Sequence, residues 1–177
     1  GARAAPLGSR VKPLEPHKRR PISDHSVVGN NSATKDTPCH SDTPSDIERA
    51  AARDKEIGVQ VVDSAFPTMP IRHICWHHFI TTWCNVHDDG DNTLHMHVNV
   101  GGDFGFKRWP HDWHKWMKTL NSMAMRQKLP KPACTFVDDL THVLKRGQVG
   151  EVMVSYGKLM EDLGMKEKTS KRAGPSQ

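Results

Sequence analysis

Three stretches of the chain are rich in β-branched and apolar residues over the short lengths that are typical of strands. They are residues 57–63, 80–87 and 94–100. The segment that separates the last two, residues 88–93, contains a glycine and an asparagine, which tolerate positive φ. The pattern therefore predicts that residues 80–87 and 94–100 form an antiparallel hairpin.

The second strand of this hairpin alternates between apolar and polar side chains. Because successive residues of a strand point to opposite faces, one face is apolar and the other carries His95, His97 and Asn99. We expect the apolar face to pack against the core. Its members are Leu94, Met96, Val98 and Val100.

Apolar residues recur at helical spacing in the rest of the chain. The helix between the first strand and the hairpin has a capping threonine and a proline in its first turn, and the last two helices are each followed by a glycine. A short strand over residues 133–137 precedes those two helices. The predicted helices run from Thr68 to Phe79, from Trp109 to Gln127, over residues 138–146 and over residues 148–163, and a further helix begins at residues 46–52.

These elements predict an α+β fold, in which an antiparallel sheet with a central hairpin carrying His-x-His is flanked by helices. We expect one domain over residues 47–164. Residues 1–46 contain no Phe, Trp or Tyr and many Pro, Ser, Thr and Asn, so they are predicted to form a disordered basic and polar tail. Residues 165–177 are predicted to form a flexible basic C-terminal tail.

The distribution of charged residues limits the ways in which the chain could bind nucleic acid. The chain has 177 residues and a formal net charge of +5, but residues 47–164 contain 14 basic and 14 acidic side chains, so the excess lies in the two termini. The predicted domain has no overall basic field, and nucleic acid would have to bind to a local patch or to the tails. The basic cluster at residues 17–21 fits a nuclear-import or anion-binding patch, and it fits solubilising charge equally well.

Other features of the sequence indicate the cellular environment of the protein. No apolar run approaches the roughly 18 to 20 residues of a membrane span, so we expect a soluble protein without a membrane partner. Four widely spaced cysteines in a chain of this length favour a reducing compartment. The chain starts with Gly1 and ends with Gln177, which we interpret as a fragment or as a piece cut from a longer precursor.

One group of residues is suited to metal binding. His95 and His97 lie two positions apart on a predicted strand, so their imidazoles should project from one face, about 7 Å apart. Asp88, near the end of the partner strand, adds a carboxylate. Two imidazoles and one carboxylate suit a divalent ion such as manganese or magnesium. The same residues also fit the polar face of a half-exposed strand, and the residue types leave both interpretations open.

This hairpin, with an acidic residue after one strand and histidine, hydrophobe, histidine on the next, resembles the metal site of the HUH endonucleases. It is most similar to the N-terminal endonuclease domain of the parvovirus non-structural replication initiator proteins. The similarity covers roughly residues 57–163. It includes the first strand, the segment from Trp83 to Asp88, the pair Gly101-Gly102 and the tryptophan-rich helix from Trp109.

The resemblance implies that the nucleophile is Tyr156, the one tyrosine of the chain, in a stretch from Gly150 that is similar to parvoviral sequences. The family carries a lysine about one turn after its tyrosine. Here Lys158 follows at i+2, about 200° around the helix from Tyr156. Tyr156 also belongs to the apolar stripe of its helix, so a core role stays open.

The implied function is a metal-dependent, site-specific nickase that forms a covalent 5′-phosphotyrosine intermediate. Its partner would be single-stranded or hairpin DNA at a replication origin. Cations between the tryptophans of the long helix and just before it are expected to contact this DNA. They are Lys107, Arg108, Lys115 and Lys118.

The resemblance also bears on localisation and partners. It implies a viral protein that acts in the host nucleus and meets host nuclear-import factors. Without a viral origin we expect a soluble intracellular protein. The oligomeric state is left open.

The first alternative is a zinc-binding accessory or interaction module without enzymatic activity. Thiolates and imidazoles are preferred zinc ligands, and the pair Cys84-x-x-His87 has ligand-like spacing. The full set would be Cys75, His77, Cys84 and His87.

The second alternative is a papain-like cysteine protease. Gly1 and Gln177 match the two sides of Gln-Gly cuts in a viral polyprotein. Cys75 would then be the nucleophile, with His142 as its base. Cys75 lies inside a predicted helix, which does not favour this role.

Overall fold

The structure is a computed structural model that describes residues 4–12, 15–34, 55–84 and 93–176. The chain is divided into two compact units. Unit 1 comprises Gly1–Thr37 and Met69–Trp109, and unit 2 comprises Pro38–Thr68 and Pro110–Gln177. Both units contain strands and helices, so the α+β class is confirmed. The division differs from the single domain predicted over residues 47–164.

Unit 1 is built on a four-stranded sheet in the order β2-β1-β4-β5. The strands are β1 (Ala4–Lys12), β2 (Glu15–Ser23), β4 (Ile80–Cys84) and β5 (Leu94–Val98), and two short helices accompany them, α1 (Asn30–Ala33) and a 3₁₀ helix (His73–His78). β1 pairs with β2 antiparallel and with β4 parallel. β4 and β5 pair antiparallel, which confirms the predicted hairpin. Residues 85–92, which join them, lie outside the described residues.

The N-terminal segment departs from the tail that the sequence predicts for residues 1–46. Residues 4–12 and 15–23 are strands, and Ala5 and His25 are fully buried. Pairing of β1 with β4 brings together residues more than 70 positions apart. Local composition does not report such long-range pairing, which explains why the strands were not predicted. Residues 35–46 lie outside the described residues.

The orientation of β5 is a second correction. The apolar face that was expected in the core is exposed to solvent: Leu94 is 60% exposed, Met96 71%, Val98 41% and Val100 55%. The opposite face takes part in buried hydrogen bonds through Asn99. On that face Asn99, just after the strand, is held by a polar network that is described below, whereas His97 on the same face is exposed.

The predicted helix from Thr68 to Phe79 is wrong in its extent. A short helix, α2 (Ala65–Thr68), ends where that helix should begin. In unit 1 the next residues pair instead with the segment after β5: Pro70 forms an isolated bridge with Gly101, and the amide of Ile71 donates to the carbonyl of Val100 at 2.8 Å. These bonds draw the chain away from helical geometry until the 3₁₀ helix begins.

Unit 2 contains a five-stranded sheet in the order β6-β7-β3-β8, with β9 also paired to β3. Its strands are β3 (Lys55–Asp63), β6 (Cys134–Phe136), β7 (Asp139–Lys145), β8 (Lys166–Glu167) and β9 (Ala173–Ser176). Its long helices are α3 (Trp109–Arg126), which starts at the last residue of unit 1, and α4 (Val149–Asp162). Both confirm the predicted helices. Within the described residues no helix is long and apolar enough to cross a membrane.

Two predictions in unit 2 need correction. Residues 138–146 were expected to be a helix, but β7 occupies them and pairs with both β3 and β6. Residues 140–143 are all buried, and such continuous burial lacks the alternation that marks a half-exposed strand. The C-terminal segment also differs from the predicted tail: Met165 is buried, and β8 and β9 pair with β3.

The core of unit 2 lies between the sheet and its two long helices. Its largest buried side chains are Trp113, Met117, Leu120, Leu140, Met153, Tyr156 and Met160. β3 approaches α4 closely at Gly58, where a Cβ atom would collide with Met153 and Val149. Only glycine fits this position without a shift of its neighbours.

A buried polar pair crosses this core. The His142 ring nitrogen Nε2 donates to Gln60 Oε1 at 3.0 Å, and Gln60 Nε2 donates to the carbonyl oxygen of Met153 at 2.8 Å. Burial lowers the pKa of His142 from 6.5 to about 4, because the charged imidazolium would lose its hydration. His142 is therefore neutral at physiological pH.

We predict that acid destabilises the protein through His142. Since the pKa is about 4 when folded and 6.5 in the reference state, His142 contributes stability above pH 6.5 that is lost as the pH falls toward 4. In wild type the free energy of unfolding should fall between pH 7 and pH 5. The substitution His142→Gln should make this fall smaller by about 2 kcal/mol. Urea titrations at both pH values measure this. The exposed His73→Gln serves as control, and an unchanged pH dependence in the His142 variant would contradict the assignment.

Candidate functional site

The hairpin of unit 1 brings the two predicted metal-binding histidines onto one face. In the register of β4 and β5, Trp83 lies opposite His95 and Thr81 lies opposite His97. Residues that lie opposite each other in an antiparallel pair share a face, so the four side chains are neighbours. The rings of Trp83 and His95 are stacked, with centroids 5.4 Å apart and planes 14° apart. His95 is half-buried and His97 is exposed.

The third predicted ligand, Asp88, lies outside the described residues. Among the residues that the structure describes, no group of three or more His, Cys, Asp or Glu side chains is arranged to hold a metal ion. His95 and His97 meet the geometric condition of a shared face, and their imidazoles with one carboxylate are a suitable donor set for manganese or magnesium. Metal binding by Asp88, His95 and His97 therefore stays a prediction.

A buried polar network continues this face beyond the end of β5. Its centre is the carboxylate of Asp103, which accepts hydrogen bonds from three side chains. Asn99 Nδ2 donates at 3.1 Å, Trp109 Nε1 at 3.1 Å and His25 Nε2 at 2.9 to 3.0 Å. Asn99 Nδ2 also donates to Thr81 Oγ1 at 2.8 Å, and the Thr81 hydroxyl is 3.0 Å from that of Ser23.

The bonds around His25 define its tautomer. Asn30 Nδ2 lies 3.1 Å from His25 Nδ1 and donates also to the carbonyl oxygen of His78 at 2.8 Å. An amide nitrogen is only a donor, so Nδ1 must be the acceptor and Nε2 must carry the proton that points at Asp103. Both ring nitrogens of His25 are thus in use.

Aromatic rings surround the imidazole. Phe79 and Phe106 each lie edge-on to it, with ring centroids 5.5 Å away, and Trp109 packs against both phenylalanines. His25 is fully buried and the Asp103 side chain is 12% exposed. Hydrogen bonds to a carboxylate are stronger in such an apolar environment than in water. The network therefore holds β2, β4 and the segment after β5 in one arrangement.

Tyr156, the predicted nucleophile, belongs to unit 2 and is fully buried. Its hydroxyl donates to the carbonyl oxygen of Pro130 at 3.2 Å, and its ring lies 4.9 Å from that of His142. Burial raises the pKa of the Tyr156 phenol, because the phenolate would lose its hydration. His95 and His97 belong to unit 1, so the two parts of the predicted active site lie in different units. Lys158 is exposed.

Pro130 connects Tyr156 with a surface cleft of about 570 Å³ in unit 2. Its lining combines apolar residues with lysine, glutamine and glutamate. It is lined by Met125, Lys128, Leu129, Pro130, Lys131, Leu144, Gln148, Glu151 and Val152. Pro130 is thus both a wall of the cleft and the hydrogen-bond acceptor of the Tyr156 hydroxyl.

The four predicted DNA contacts are all exposed and fall into two pairs. Lys107 and Arg108 lie in unit 1, and Lys115 and Lys118 lie on α3 in unit 2. The neighbouring tryptophans behave differently from what was expected: Trp109 and Trp113 are core residues, and the Trp113 indole donates to the carbonyl oxygen of Val137 at 2.6 Å. These two indoles therefore present no open face on which a base could stack.

The residues of the two alternative functions are also dispersed. Cys75 and His77 lie on the 3₁₀ helix, Cys84 ends β4, and His87 lies outside the described residues. Cys75 belongs to unit 1, whereas His142, its predicted partner in a protease, is a buried residue of unit 2. His142 Nε2 is already hydrogen-bonded to Gln60.

Sequence reasoning did not identify the Asp103 network. His25 stands in a segment without Phe, Trp or Tyr, and its contact with Asp103 spans 78 positions. The available signal was local: Asp103 follows Gly101-Gly102 directly after a predicted strand, a position where a polar side chain often bonds to neighbouring elements. Nothing in the pattern of residues 15–34 indicates which histidine would be buried.

We predict that Asp103→Asn destabilises the protein by roughly 2 to 4 kcal/mol. Asparagine keeps the size of the side chain but removes the charge. The two N–H groups of its amide would also face the N–H donors that bind the Asp103 carboxylate. Denaturant unfolding followed by tryptophan fluorescence measures the loss, with the exposed Asp162→Asn as control. An effect of the Asp103 variant as small as that of the control would mean that the network does not stabilise unit 1.

Comparison with known proteins provides no family for the chain. Neither the protein-family models nor the curated proteins contain a match to this sequence.

Proposed function

We propose that the chain is a metal-dependent nickase of single-stranded DNA, of the viral replication-initiator type. The observation that carries this proposal is the register of the β4–β5 hairpin, in which His95 and His97 share one face and are both at least partly exposed. Asp88 follows Cys84, the last residue of β4, by four positions, so its carboxylate is near in sequence to the end of this face.

In this proposal His95, His97 and Asp88 would hold one manganese or magnesium ion. The bound ion would polarise the scissile phosphate and offset the charge that develops on its oxygens. The Asp103 network supports the histidines, because Asn99 continues their face and is fixed by its bonds to Thr81 and Asp103. A metal ligand whose strand is fixed in this way loses little conformational freedom on binding.

The covalent step is assigned to Tyr156. Its oxygen would attack the phosphorus, a new O–P bond would form, and the P–O3′ bond would break, with the phenolic proton passing to the leaving 3′ oxygen. The hydroxyl is buried in unit 2, so attack requires that its bond to Pro130 breaks and that it reaches solvent. The cleft in unit 2 is lined by Pro130, whose carbonyl oxygen accepts the hydrogen bond of this hydroxyl.

DNA binding would use exposed cations. Lys107, Arg108, Lys115 and Lys118 are suited to phosphate contacts, whereas the buried Trp109 and Trp113 are not suited to base stacking. Replication of viral DNA would require access to the host nucleus. The exposed Lys18, Arg19 and Arg20 of β2 are consistent with recognition by import factors, although they stand on a strand and not in an extended tail.

A second candidate is a DNA-binding module that binds the same metal and does not cleave. Burial of Tyr156 favours it, because a tyrosine whose hydroxyl donates to a backbone carbonyl behaves as a core residue. The two candidates share the hairpin and the cations. They differ in one measurable event, the covalent attachment of DNA to residue 156.

We predict that wild-type protein with manganese forms an adduct with a labelled single-stranded oligonucleotide that survives denaturing electrophoresis. Tyr156→Phe should abolish the adduct and cost only about 0.5 to 1.5 kcal/mol of stability, since it removes one hydrogen bond and keeps the ring. Peptide mapping should locate the DNA on residue 156. Absence of any adduct with wild type across hairpin and origin-like substrates would exclude the nickase and leave the binding module.

We further predict that the adduct depends on the histidine face. His97→Ala should reduce adduct formation by at least about a hundredfold, as expected for loss of a metal ligand or its support. The exposed His73→Ala, on the 3₁₀ helix, is the matched control and should retain full activity. Equal activity of the two variants would show that His97 does not bind a catalytic metal.

A further inference from the structure

The pair β1 and β2 forms a ribbon that extends from the sheet of unit 1. At its base Ala5 and Ser23 are buried, whereas residues 6–11 and 16–21 are exposed on both strands and on both faces. An antiparallel pair without a covered face gains little stability from packing. Its side chains are therefore available for contact with a partner.

The ribbon concentrates positive charge at three arginines, Arg10, Arg19 and Arg20. Arg10 lies directly opposite Arg20, and Arg19 lies opposite Val11. Residues in such positions have Cβ atoms about 5 Å apart, and like charges there repel each other. Among the described residues, none of these three arginines has a carboxylate within salt-bridge distance.

Within the described part of the chain, Arg19 and Arg20 contact neutral side chains. The Arg19 guanidinium donates to Ser9 Oγ at 3.3 Å, and the Arg20 guanidinium lies 4.9 Å from the centroid of the Phe104 ring. Both contacts orient a guanidinium and neither removes its charge. A fixed, charged guanidinium is well suited to bidentate binding of a phosphate.

The one acidic residue of the two strands does not compensate the arginines. Glu15 binds Lys18 at 2.6 Å and Lys12 at 3.3 Å, near the tip of the ribbon. Hydrogen bonds from these two lysines lower the pKa of Glu15 to about 2. Glu15 thus neutralises part of the lysine charge, and the repulsion between Arg10 and Arg20 persists.

We propose that the β1–β2 ribbon is a binding arm for the sugar-phosphate backbone of single-stranded nucleic acid, with Arg10, Arg19 and Arg20 as phosphate contacts. A phosphate between Arg10 and Arg20 converts their repulsion into two attractive contacts. The inference rests on the proposed function for the class of ligand, but it uses none of the metal-binding residues and none of the four cations predicted to bind DNA.

The composition of the face that carries Arg10 and Arg20 favours nucleic acid over an anionic membrane. The exposed apolar residues Leu7 and Val11 alternate with Arg10 along β1 and point to the opposite face. Binding at a lipid surface requires apolar side chains on the face that meets the bilayer. The face of Arg10 and Arg20 carries Gly8 and the half-buried Ile22 instead, whereas Arg19 lies opposite Val11 on the other face.

The test is the salt dependence of binding to a fluorescent oligo-thymidylate in EDTA, with the full chain and without added metal. The triple variant Arg10→Gln, Arg19→Gln, Arg20→Gln should lower the slope of log K against log salt by about 2, since each contact to a single strand contributes about 0.7. The control removes three exposed lysines of unit 2 that do not line the cleft, Lys55→Gln, Lys145→Gln and Lys166→Gln, and should keep the slope.

An unchanged slope in the arginine variant, or an equal loss in the control, would overturn the proposal. So would intact oligonucleotide binding combined with lost binding to phosphatidylserine vesicles. If the triple variant does not fold, the single variant Arg10→Gln is used for the test, and its slope of log K against log salt should be lower by about 0.7. Because the assay excludes metal and measures no cleavage, failure of the nickase proposal leaves its outcome unaffected.

Discussion

In unit 1 the buried carboxylate of Asp103 has to be satisfied by donors from segments that are far apart in the chain. An unpaired buried charge costs several kcal/mol, so an arrangement that lacks any of these donors is disfavoured. His25, Asn99 and Trp109 supply the donors, and they tie the start of α3 and the segments after β2 and β5 to one point. The outward orientation of the apolar residues of β5 follows from this requirement, because Asn99 has to face inward.

The same constraint has a functional consequence. His95, His97 and Asn99 occupy alternate positions, so the bonds that fix Asn99 also determine which face carries the two imidazoles. In unit 2 the corresponding buried groups are Gln60 and His142. His142 Nε2 donates to Gln60 Oε1 and Gln60 Nε2 donates to the carbonyl oxygen of Met153, whereas His142 Nδ1 has no hydrogen-bond partner among the described residues. Tyr156 packs beside them, and its bond to Pro130 places the phenol in the core of that unit.

The sequence predicts elements whose signal is local and fails where distant pairing decides. The helices α3 and α4 and the β4–β5 hairpin carry their own periodicity or turn residues, and all three were predicted. The helix prediction over residues 138–146 fails because pairing with β3 and β6 fixes the strand β7, and its continuous burial leaves no alternation to indicate a strand. Likewise, β1 is a strand because it pairs with the edge of β4. The composition of residues 4–12 gives no indication of this pairing. The alternation of apolar and polar residues along β5 predicts that His95 and His97 share a face. No such pattern predicts the contact between His25 and Asp103.

The central claim is that His95 and His97 bind the same divalent ion. Pulsed electron paramagnetic resonance of the full chain with one equivalent of manganese tests it most directly, because nitrogen couplings count the imidazoles bound to the ion. We predict couplings to two histidine nitrogens, of which one disappears in His95→Ala and one in His97→Ala. A spectrum without nitrogen coupling, or the same couplings in the variant that lacks both histidines, would contradict the claim.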